Sequence, residues 1–353
     1  MLARINNVMP GGTAGGRKAA AINRKNITLQ CLFAFMAVAA VALSLCTGRY
    51  RVYPLDLFRL LLGLPPADSM AVHVIFGIRL PRVIMALIVG AGLAVAGTSL
   101  QAMFGNPLVS SHILGVSASA GFGAALGILL SGAFWMIQGT AVLFGFAGMG
   151  IACFMGTRRG RTGILMLVLS GIIVAAVFEA LTSLVKYLAD PEEKLPAITY
   201  WLMGSLSSVA VKDLFTGGPA ILAGVAVLWV LRWQLNVISL REDEAVSLGL
   251  NLKRLRLVIV VTTTVIAAVT VSVCGIVSFV GLAVPHFARM LVGTDNRHVV
   301  PASVFLGGTF VVLMDTAARS ISSAEIPLSI LTAVIGAPFF GILLRKTGGG
   351  WND

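Results

Sequence analysis

Charged residues in two places have the types and spacing to bind a charged partner. In the first, Arg79-Leu80-Pro81-Arg82 opens a long apolar run, and Arg319 ends another. Guanidinium groups bind carboxylates through paired N–H donors. These three arginines therefore predict a basic rim that receives an acidic protein surface or an anionic solute. The alternative, which the sequence leaves open, is that they anchor the chain at lipid headgroups.

The second place is the polar segment from about 240 to 256, in which acidic residues come first and basic residues last. This order, with Gly249 and Asn251 in the middle, predicts a short helix that ends at Gly249 and a turn into the next helix. A connection of this length predicts a docking surface for another protein. Its candidate contact residues are Arg241, Glu242, Glu244, Ser247, Leu248, Gly249, Leu250 and Arg254.

Residues that could support catalysis or hold a cofactor are not grouped in the sequence. Gly11 and Gly16 have the separation of a phosphate-binding loop, but Arg17 stands where that loop requires lysine. The four histidines do not pair at metal-ligand spacing, and the four cysteines are far apart. We therefore predict no catalytic residue, no metal site and no cofactor in this chain. If the chain takes part in a process driven by ATP, we expect the ATP and its Mg to bind another chain.

The composition is typical of a chain embedded in lipid. Apolar residues make up 58% of it and charged residues 11%, whereas a soluble protein carries about a quarter of its residues as charges. The net charge of +12 does not indicate nucleic-acid binding, because the basic residues stand in short groups between apolar runs. The sequence predicts an all-α polytopic membrane protein in contact with membrane lipid.

Ten apolar runs are long enough to cross the hydrocarbon core, which takes about 20 helical residues. The run 257–292 would be about 54 Å long as one helix, so it must be two spans divided near Gly275. The expected spans are about 29–47, 82–103, 113–131, 134–155, 164–188, 214–232, 257–274, 276–292, 299–318 and 328–344.

Ten spans place both ends of the chain on the same side. With cytoplasmic ends, most of the 26 lysines and arginines lie inside, as the positive-inside rule requires. The expected organisation is a basic cytoplasmic tail (1–28), a ten-span domain (29–345) and a short cytoplasmic tail (346–353). The arginine rim is then outside and the segment 240–256 inside.

From about residue 29 to 345 the chain resembles the FecCD family, the permease subunits of bacterial ABC importers for iron-siderophores, haem, cobalamin and similar chelates. Each matching motif is short, but eight occur in the family's order. They are RLPR (79–82), VGAGLAVAG (89–97), Gln101 with NPL (106–108), LGVS (114–117), WLMGS (201–205), LGL (248–250), GLAVPH (281–286) and IGAP (335–338).

The resemblance implies a set of partners in the bacterial inner membrane. A second permease subunit would complete a homodimer or a close pair, and two ATPase subunits would dock on 241–256 in the cytoplasm. A solute-binding protein would dock outside on Arg79, Arg82 and Arg319. The fifth span would line the translocation path with Glu179. Ile164 and Leu165 stand where the cobalamin type carries Ser or Thr at the inner gate, so the gate departs from that type.

The main expectation is import of an iron-siderophore or related chelate, with haem or cobalamin as alternatives. An ion-coupled secondary transporter needs an ionisable group at mid-depth, and Glu179 and Asp315 are the candidates. Asp315 precedes Arg319 by four residues, which favours an ion pair instead. Glu179 fits either the path or a bond to a neighbouring helix. A membrane enzyme is not expected, since no catalytic set is present.

Overall fold

The computed structural model describes residues 12–64, 69–112, 114–158, 161–162, 164–240, 242–322 and 324–346. Over these ranges the chain is helical except for connections and a two-residue antiparallel ladder, Thr157–Arg158 with Arg161–Thr162. The α-helices are α1 (Gly12–Cys46), α2 (Pro54–Leu61), α3 (Ser69–Val72), α4 (Leu80–Phe104), α5 (Val116–Leu130), α6 (Phe134–Gly156), α7 (Ile164–Leu188), α8 (Lys194–Leu202), α9 (Val211–Thr216), α10 (Gly218–Val230), α11 (Gln234–Ile238), α12 (Glu242–Ser247), α13 (Leu252–Cys274), α14 (Val280–Val292), α15 (Asn296–Ile321) and α16 (Leu328–Lys346). A π-helical turn, His73–Arg79, joins α3 to α4.

Seven stretches of the described residues are long and apolar enough to cross a membrane, which confirms the predicted class of polytopic membrane protein. Shorter apolar helices are α5, α14 and α16, and each predicted run coincides with one of these elements. The seven are Asn23–Cys46, Met70–Phe104, Phe134–Gly156, Leu165–Leu188, Val211–Val230, Leu252–Cys274 and Asn296–Ile321. The end of the bundle at which α4 begins is called the outer end, and the opposite end is called the inner end.

Two predicted boundaries differ from the structure. The first apolar stretch begins at Asn23 and α1 at Gly12, so the expected tail boundary at residue 28 falls inside a helix. Alanine, arginine and lysine in this part of the chain favour helix, which lets α1 continue past the membrane edge. The predicted span 214–232 is divided between α9 and α10. Residues 1–11 and 347–353 of the two predicted tails lie outside the described residues.

The core of the bundle is α4, which packs against α10, α13, α14 and α15. In the 18-residue apolar window of the stretch that contains α4, 83% of the residues are buried, whereas in that of α7 the share is 28%. Close approach at α4 depends on facing glycines. A Cβ on Gly90 would overlap the carbonyl of Gly307 in α15, and one on Gly97 would overlap that of Gly281 in α14. Small residues at helix crossings let backbones meet, which is how membrane helices gain packing contacts.

A break after α13 shapes the outer half of the bundle. As predicted, α13 ends near Gly275, at Cys274. The following helix α14 has 13 residues and is about 20 Å long, so it is shorter than the hydrocarbon core. Between them lies non-helical backbone with positive φ at Gly275 and at Phe279, where φ is 64°. Non-helical backbone at membrane depth requires protein cover, and Gly204 and Trp201 pack against Gly275.

The same break holds α8 and α16 together. Ser205 N donates to Cys274 O at 2.9 Å, and Leu328 N donates to Gly204 O at 2.9 Å. Ser329 Oγ also donates to Met203 O at 2.6 Å. The connection between α15 and α16 is therefore fixed beside the ends of α8 and α13, close to the start of α4.

Candidate functional site

The three predicted arginines form one cluster at the outer end. Arg79 ends the π-helical turn, Arg82 lies in the first turn of α4, and Arg319 lies in the last turn of α15. Their juxtaposition fits the sequence prediction, but the three side chains do not form an exposed rim. The three side chains are buried, with 4–6% of each residue exposed, because α1, α4 and α15 close over them and supply internal partners.

Arg82 is held between two carboxylates. Its Nε lies 2.9 Å from both oxygens of Asp315, and its Nη2 lies 2.8 Å from Asp315 Oδ1. Its other edge donates to Glu325, with Nη1 to Oε1 at 3.1 Å and Nη2 to Oε2 at 2.9 Å. Both edges of the guanidinium are therefore occupied by bidentate or near-bidentate acceptors, which is the geometry of a strong charge-assisted pair.

Arg79 and Arg319 are bound by the backbone at the end of α1. Arg79 donates to Leu45 O at 2.6 Å and to Tyr50 O at 2.5 Å. Arg319 Nη2 donates to Ser44 O and, at 2.7 Å, to Ser44 Oγ. Arg319 Nε also lies 3.8 Å from Asp315 Oδ2, so the predicted pairing at i,i+4 is present. Main-chain carbonyls thus accept the hydrogen bonds of the two guanidinium groups that have no carboxylate of the described residues at hydrogen-bonding distance.

Glu325 is the member of this cluster that the sequence did not predict. It lies on the connection between α15 and α16 and meets Arg82 across 243 residues of chain. Its side chain is 29% exposed, whereas that of Asp315 is 2% exposed. The available signal was an acidic residue two positions before Pro327, at the start of the last apolar run. That signal does not indicate which arginine the acid meets.

A cavity of about 490 Å³ adjoins the cluster at the outer end. It is bordered by the end of α8, the serines that follow α8, and the connection that carries Glu325. The buried indole Nε1 of Trp201 has no hydrogen-bond partner among the described residues. The cavity therefore presents aromatic rings, hydroxyl groups and one carboxylate. Its chemically distinctive lining residues are Tyr200, Trp201, Ser205, Ser207, Ser208 and Glu325.

The segment 240–256 has the local structure that its sequence predicts. Helix α12 ends at Ser247, and Gly249 follows with φ of 79° while its N donates to Val246 O at 2.9 Å. Asn251 caps α13 by accepting from Arg254 N at 3.1 Å. The predicted cap at Gly249 is confirmed, because a left-handed residue at this position ends a helix without a Cβ clash.

The inner loop, defined as residues 242–256, is a surface feature of the inner end. Ala245 is fully buried and fixes α12, whereas Val246 and Leu248 are 57% and 55% exposed. Leu250 packs partly against the core. The remaining predicted contact residues Glu242, Glu244, Ser247, Gly249 and Arg254 are exposed, and Arg241 lies outside the described residues. A folded, exposed apolar edge beside acidic residues is suitable for binding another protein.

The predicted path residues lie on α7, which is a peripheral helix of the subunit. Leu165 is 68% exposed, and the side chain of Ile164 lies outside the described residues. Glu179 is exposed too, about 14 Å along α7 from its outer end at Leu188. A carboxylate on an apolar helix face costs about 2.5–3.5 kcal/mol at the bilayer centre by insertion scales. That cost favours a face that meets protein or water.

A polar junction at the inner end joins α11 to the start of α15. Asp295 accepts from Arg297 Nη2 at 2.7 Å, from Arg297 N at 2.9 Å and from Asn236 Nδ2 at 2.7 Å. Partial burial raises the pKa of the Asp295 carboxyl, but these hydrogen bonds outweigh it and lower the pKa to about 2. This junction fixes the connection before α12 relative to the bundle.

Titratable groups do not form a metal site in the part of the chain that the structure describes, where no three His, Cys, Asp or Glu side chains come together. The charged residues instead form ion pairs at the outer end and an exposed, mainly acidic surface on α12 at the inner end.

Comparison with known proteins identifies the family. The profile of the FecCD transport family matches residues 36–346. The molybdate import system permease protein MolB of Haemophilus influenzae is 40% identical over 323 residues, or 90% of this chain and 96% of MolB. The Fe(3+) dicitrate transport system permease protein FecC of Escherichia coli is 37% identical over 278 residues, or 77% of this chain and 82% of FecC.

A solved structure agrees with these matches. It is an inward-facing transporter assigned to the metal-chelate type of ABC transporters, with a TM-score of 0.83 and 38% identity. The match covers 90% of this chain and 99% of that chain. The arginine cluster, the inner loop and the ends of α4, α7 and α14 all fall within the range that the family profile matches. The chain belongs to the FecCD transport family of ABC-transporter permeases.

Proposed function

We propose that this permease imports an iron-siderophore or a related metal chelate from the periplasm to the cytoplasm across the bacterial inner membrane. The ATP that drives transport is hydrolysed by a separate ATPase subunit. Haem and cobalamin, the other chelates expected from the sequence, are the alternatives within this proposal. Molybdate is a second candidate, and the 40% identity to MolB favours it.

The observation that carries the choice of substrate is Glu179 on the exposed face of α7. In a homodimer, α7 of each subunit would border a shared path, and two carboxylates would face it. Like charges repel strongly where water is scarce, so this path disfavours a bare dianion such as molybdate. The outer cavity supports the same choice, since it offers Trp201, Tyr200 and Glu325 instead of cations that bind an oxyanion.

Ten spans with both ends in the cytoplasm complete the proposed topology. The outer end then faces the periplasm, where a solute-binding protein docks over Arg79, Arg82 and Arg319. The inner end faces two ATPase subunits, which dock on the inner loop. A cysteine at Glu192 should react with an impermeant thiol reagent from the periplasm, and one at Ser247 should not, once the four native cysteines are replaced. The opposite pattern would invert the proposed orientation.

Transport by the purified complex tests the substrate. Permease, ATPase and binding protein would be reconstituted in proteoliposomes and supplied with radiolabelled ferric hydroxamate or with molybdate. We expect uptake of the neutral ferric chelate, with molybdate at background. Glu179→Gln should raise any molybdate uptake, and Ile172→Leu, about two turns earlier on the same exposed face of α7, serves as its control. Molybdate uptake at the higher rate by the unmodified protein would reject the chelate proposal.

A further inference from the structure

We propose that Glu325 occupies on Arg82 the position that a carboxylate of the solute-binding protein takes when that protein docks. Docking then exchanges one carboxylate for another at the exposed edge of the guanidinium. This inference rests on the proposed function, which supplies the binding protein. It explains how an arginine that is 6% exposed could serve as a docking residue.

The donor geometry of Arg82 requires an exchange. The Nε–Nη2 edge holds Asp315 at 2.8–2.9 Å, and the Nη1–Nη2 edge holds Glu325 at 2.9–3.1 Å. A guanidinium has five N–H groups on two usable edges. A third carboxylate therefore cannot bind Arg82 in a bidentate manner until one of the two present carboxylates has left.

Burial decides which carboxylate leaves. The Asp315 side chain is 2% exposed and also lies 3.8 Å from Arg319, so its removal would leave buried cations without their anion. The Glu325 side chain is 29% exposed and lies on a connection between helices. Replacing Glu325 by a partner's carboxylate conserves the charge balance around Arg82, which keeps the cost of the exchange small.

The other two arginines are not open to the same exchange. Arg79 donates to Leu45 O and Tyr50 O, and Arg319 donates to Ser44 O. These acceptors belong to the backbone at and after the end of α1, so a carboxylate could replace them only if that backbone moved. The contact with Glu325 is thus the part of the cluster that a partner can replace with side-chain motion alone.

Release of Glu325 would also change the outer cavity. Glu325 borders this cavity together with Trp201, whose Nε1 lacks a hydrogen-bond partner among the described residues. Three residues later, Leu328 N is bonded to Gly204 O beside α8. An exchange at Arg82 would therefore release the Glu325 carboxylate from its cation at the edge of the cavity, close to the junction of α8 with α16. Docking and the state of the cavity are linked through one side chain.

Affinity measurements with permease–ATPase complex in nanodiscs test the exchange. Glu325→Gln removes the competing charge, and we expect the solute-loaded binding protein to bind about tenfold more tightly, a change of about 1.4 kcal/mol. Glu325→Asp, which keeps the charge on a shorter side chain, should fall between wild type and Gln. Glu192→Gln, which removes a charge from the exposed connection before α8, is the matched control and should leave the affinity unchanged.

A second arm separates this inference from the proposed function. Each surface acid of the binding protein is neutralised in turn, and we expect at least one change to weaken docking. With that binding-protein variant, Glu325→Gln should not increase the affinity, because the variant has no carboxylate that displaces Glu325 from Arg82. If such an acid exists but Glu325→Gln and Glu325→Asp both bind like wild type, the exchange is wrong and docking stands. If no acid matters, the proposed docking surface fails as well.

Discussion

The two predicted docking regions, the outer arginine cluster and the inner loop, differ in how they keep their charges. At the outer end, three arginines are buried and bound to Asp315, Glu325 and the backbone at and after the end of α1. At the inner end, α12 exposes its acidic residues and the apolar edge of Val246 and Leu248. The inner loop exposes side chains that a partner could contact, whereas the arginines of the outer cluster are already hydrogen-bonded within the chain.

This difference shows that charge in a sequence does not by itself indicate a surface. Both regions have clustered charges in the sequence, yet a buried charge needs partners from its own chain to offset its desolvation. The outer cluster therefore contributes to stability first, and any recognition there has to replace an existing bond. The inner loop can change its contacts at little cost to the fold. Four predictions test this contrast.

The largest expected effect is on stability at the outer cluster. Asp315→Ala would leave Arg82 and Arg319 buried with less compensation, and breaking a buried pair in this way costs about 3–5 kcal/mol. The matched change at the inner loop is Glu242→Ala, whose pair with Arg256 spans 3.4 Å and whose side chain is 70% exposed. That change should cost less than about 1 kcal/mol. Thermal unfolding in detergent checks both, and equal losses would contradict the contrast.

The next effect compares two glycines with positive φ. A Cβ on Gly48 would lie 2.6 Å from Arg79 Nη2 and 3.1 Å from Arg319 Nη1, whereas one on Gly249 would have nothing within 4 Å. Gly48→Ala should therefore combine backbone strain with about 1–3 kcal/mol of overpacking. Gly249→Ala should show only the strain, about 1–2 kcal/mol. A larger stability loss at Gly249 would show that the arginine cluster tolerates displacement.

The third effect concerns binding more than stability. Gly249→Val places a β-branched residue at φ of 79° and should distort the end of α12. We expect the permease to remain in the membrane and to lose its ATPase subunits during purification. Gly63, with φ of 70° and nothing within 4 Å of an added Cβ, offers the same strain at the outer end. The Gly63→Val variant should keep its ATPase subunits. If it loses them as well, the effect of Gly249→Val is not specific to the inner loop.

The smallest effect is the pH response of the inner junction. The pKa of Asp295 is lowered to about 2 in the folded state, so its carboxylate stabilises the fold above the unfolded pKa of about 3.9. That contribution decreases as pH falls through the folded pKa. The stability difference between wild type and Asp295→Asn should be below about 1 kcal/mol, because the pair with Arg297 is exposed. This difference should be constant from pH 7 to 5 and decrease toward pH 2. A change between pH 7 and 5 would point to another group.

The sequence by itself determined the features that depend on local composition. Apolar runs predict the helices because the hydrocarbon core requires about 20 apolar residues for each crossing. The end of α12 at Gly249, the turn that follows it and the end of α13 near Gly275 were predicted because each depends on backbone conformation within a few residues. Arg319 and Asp315 were paired correctly since they lie one helical turn apart.

Only the tertiary structure decided what those elements meet. The burial of Arg82 and its two bonds depend on residues 233 and 243 positions away, and helical periodicity carries no information across such distances. The shortness of α14 likewise depends on the break before it, which Gly204 and Trp201 cover. The arginines are buried because α1, α4 and α15 close around them, and a desolvated charge remains in place only where three-dimensional packing supplies its counter-charge.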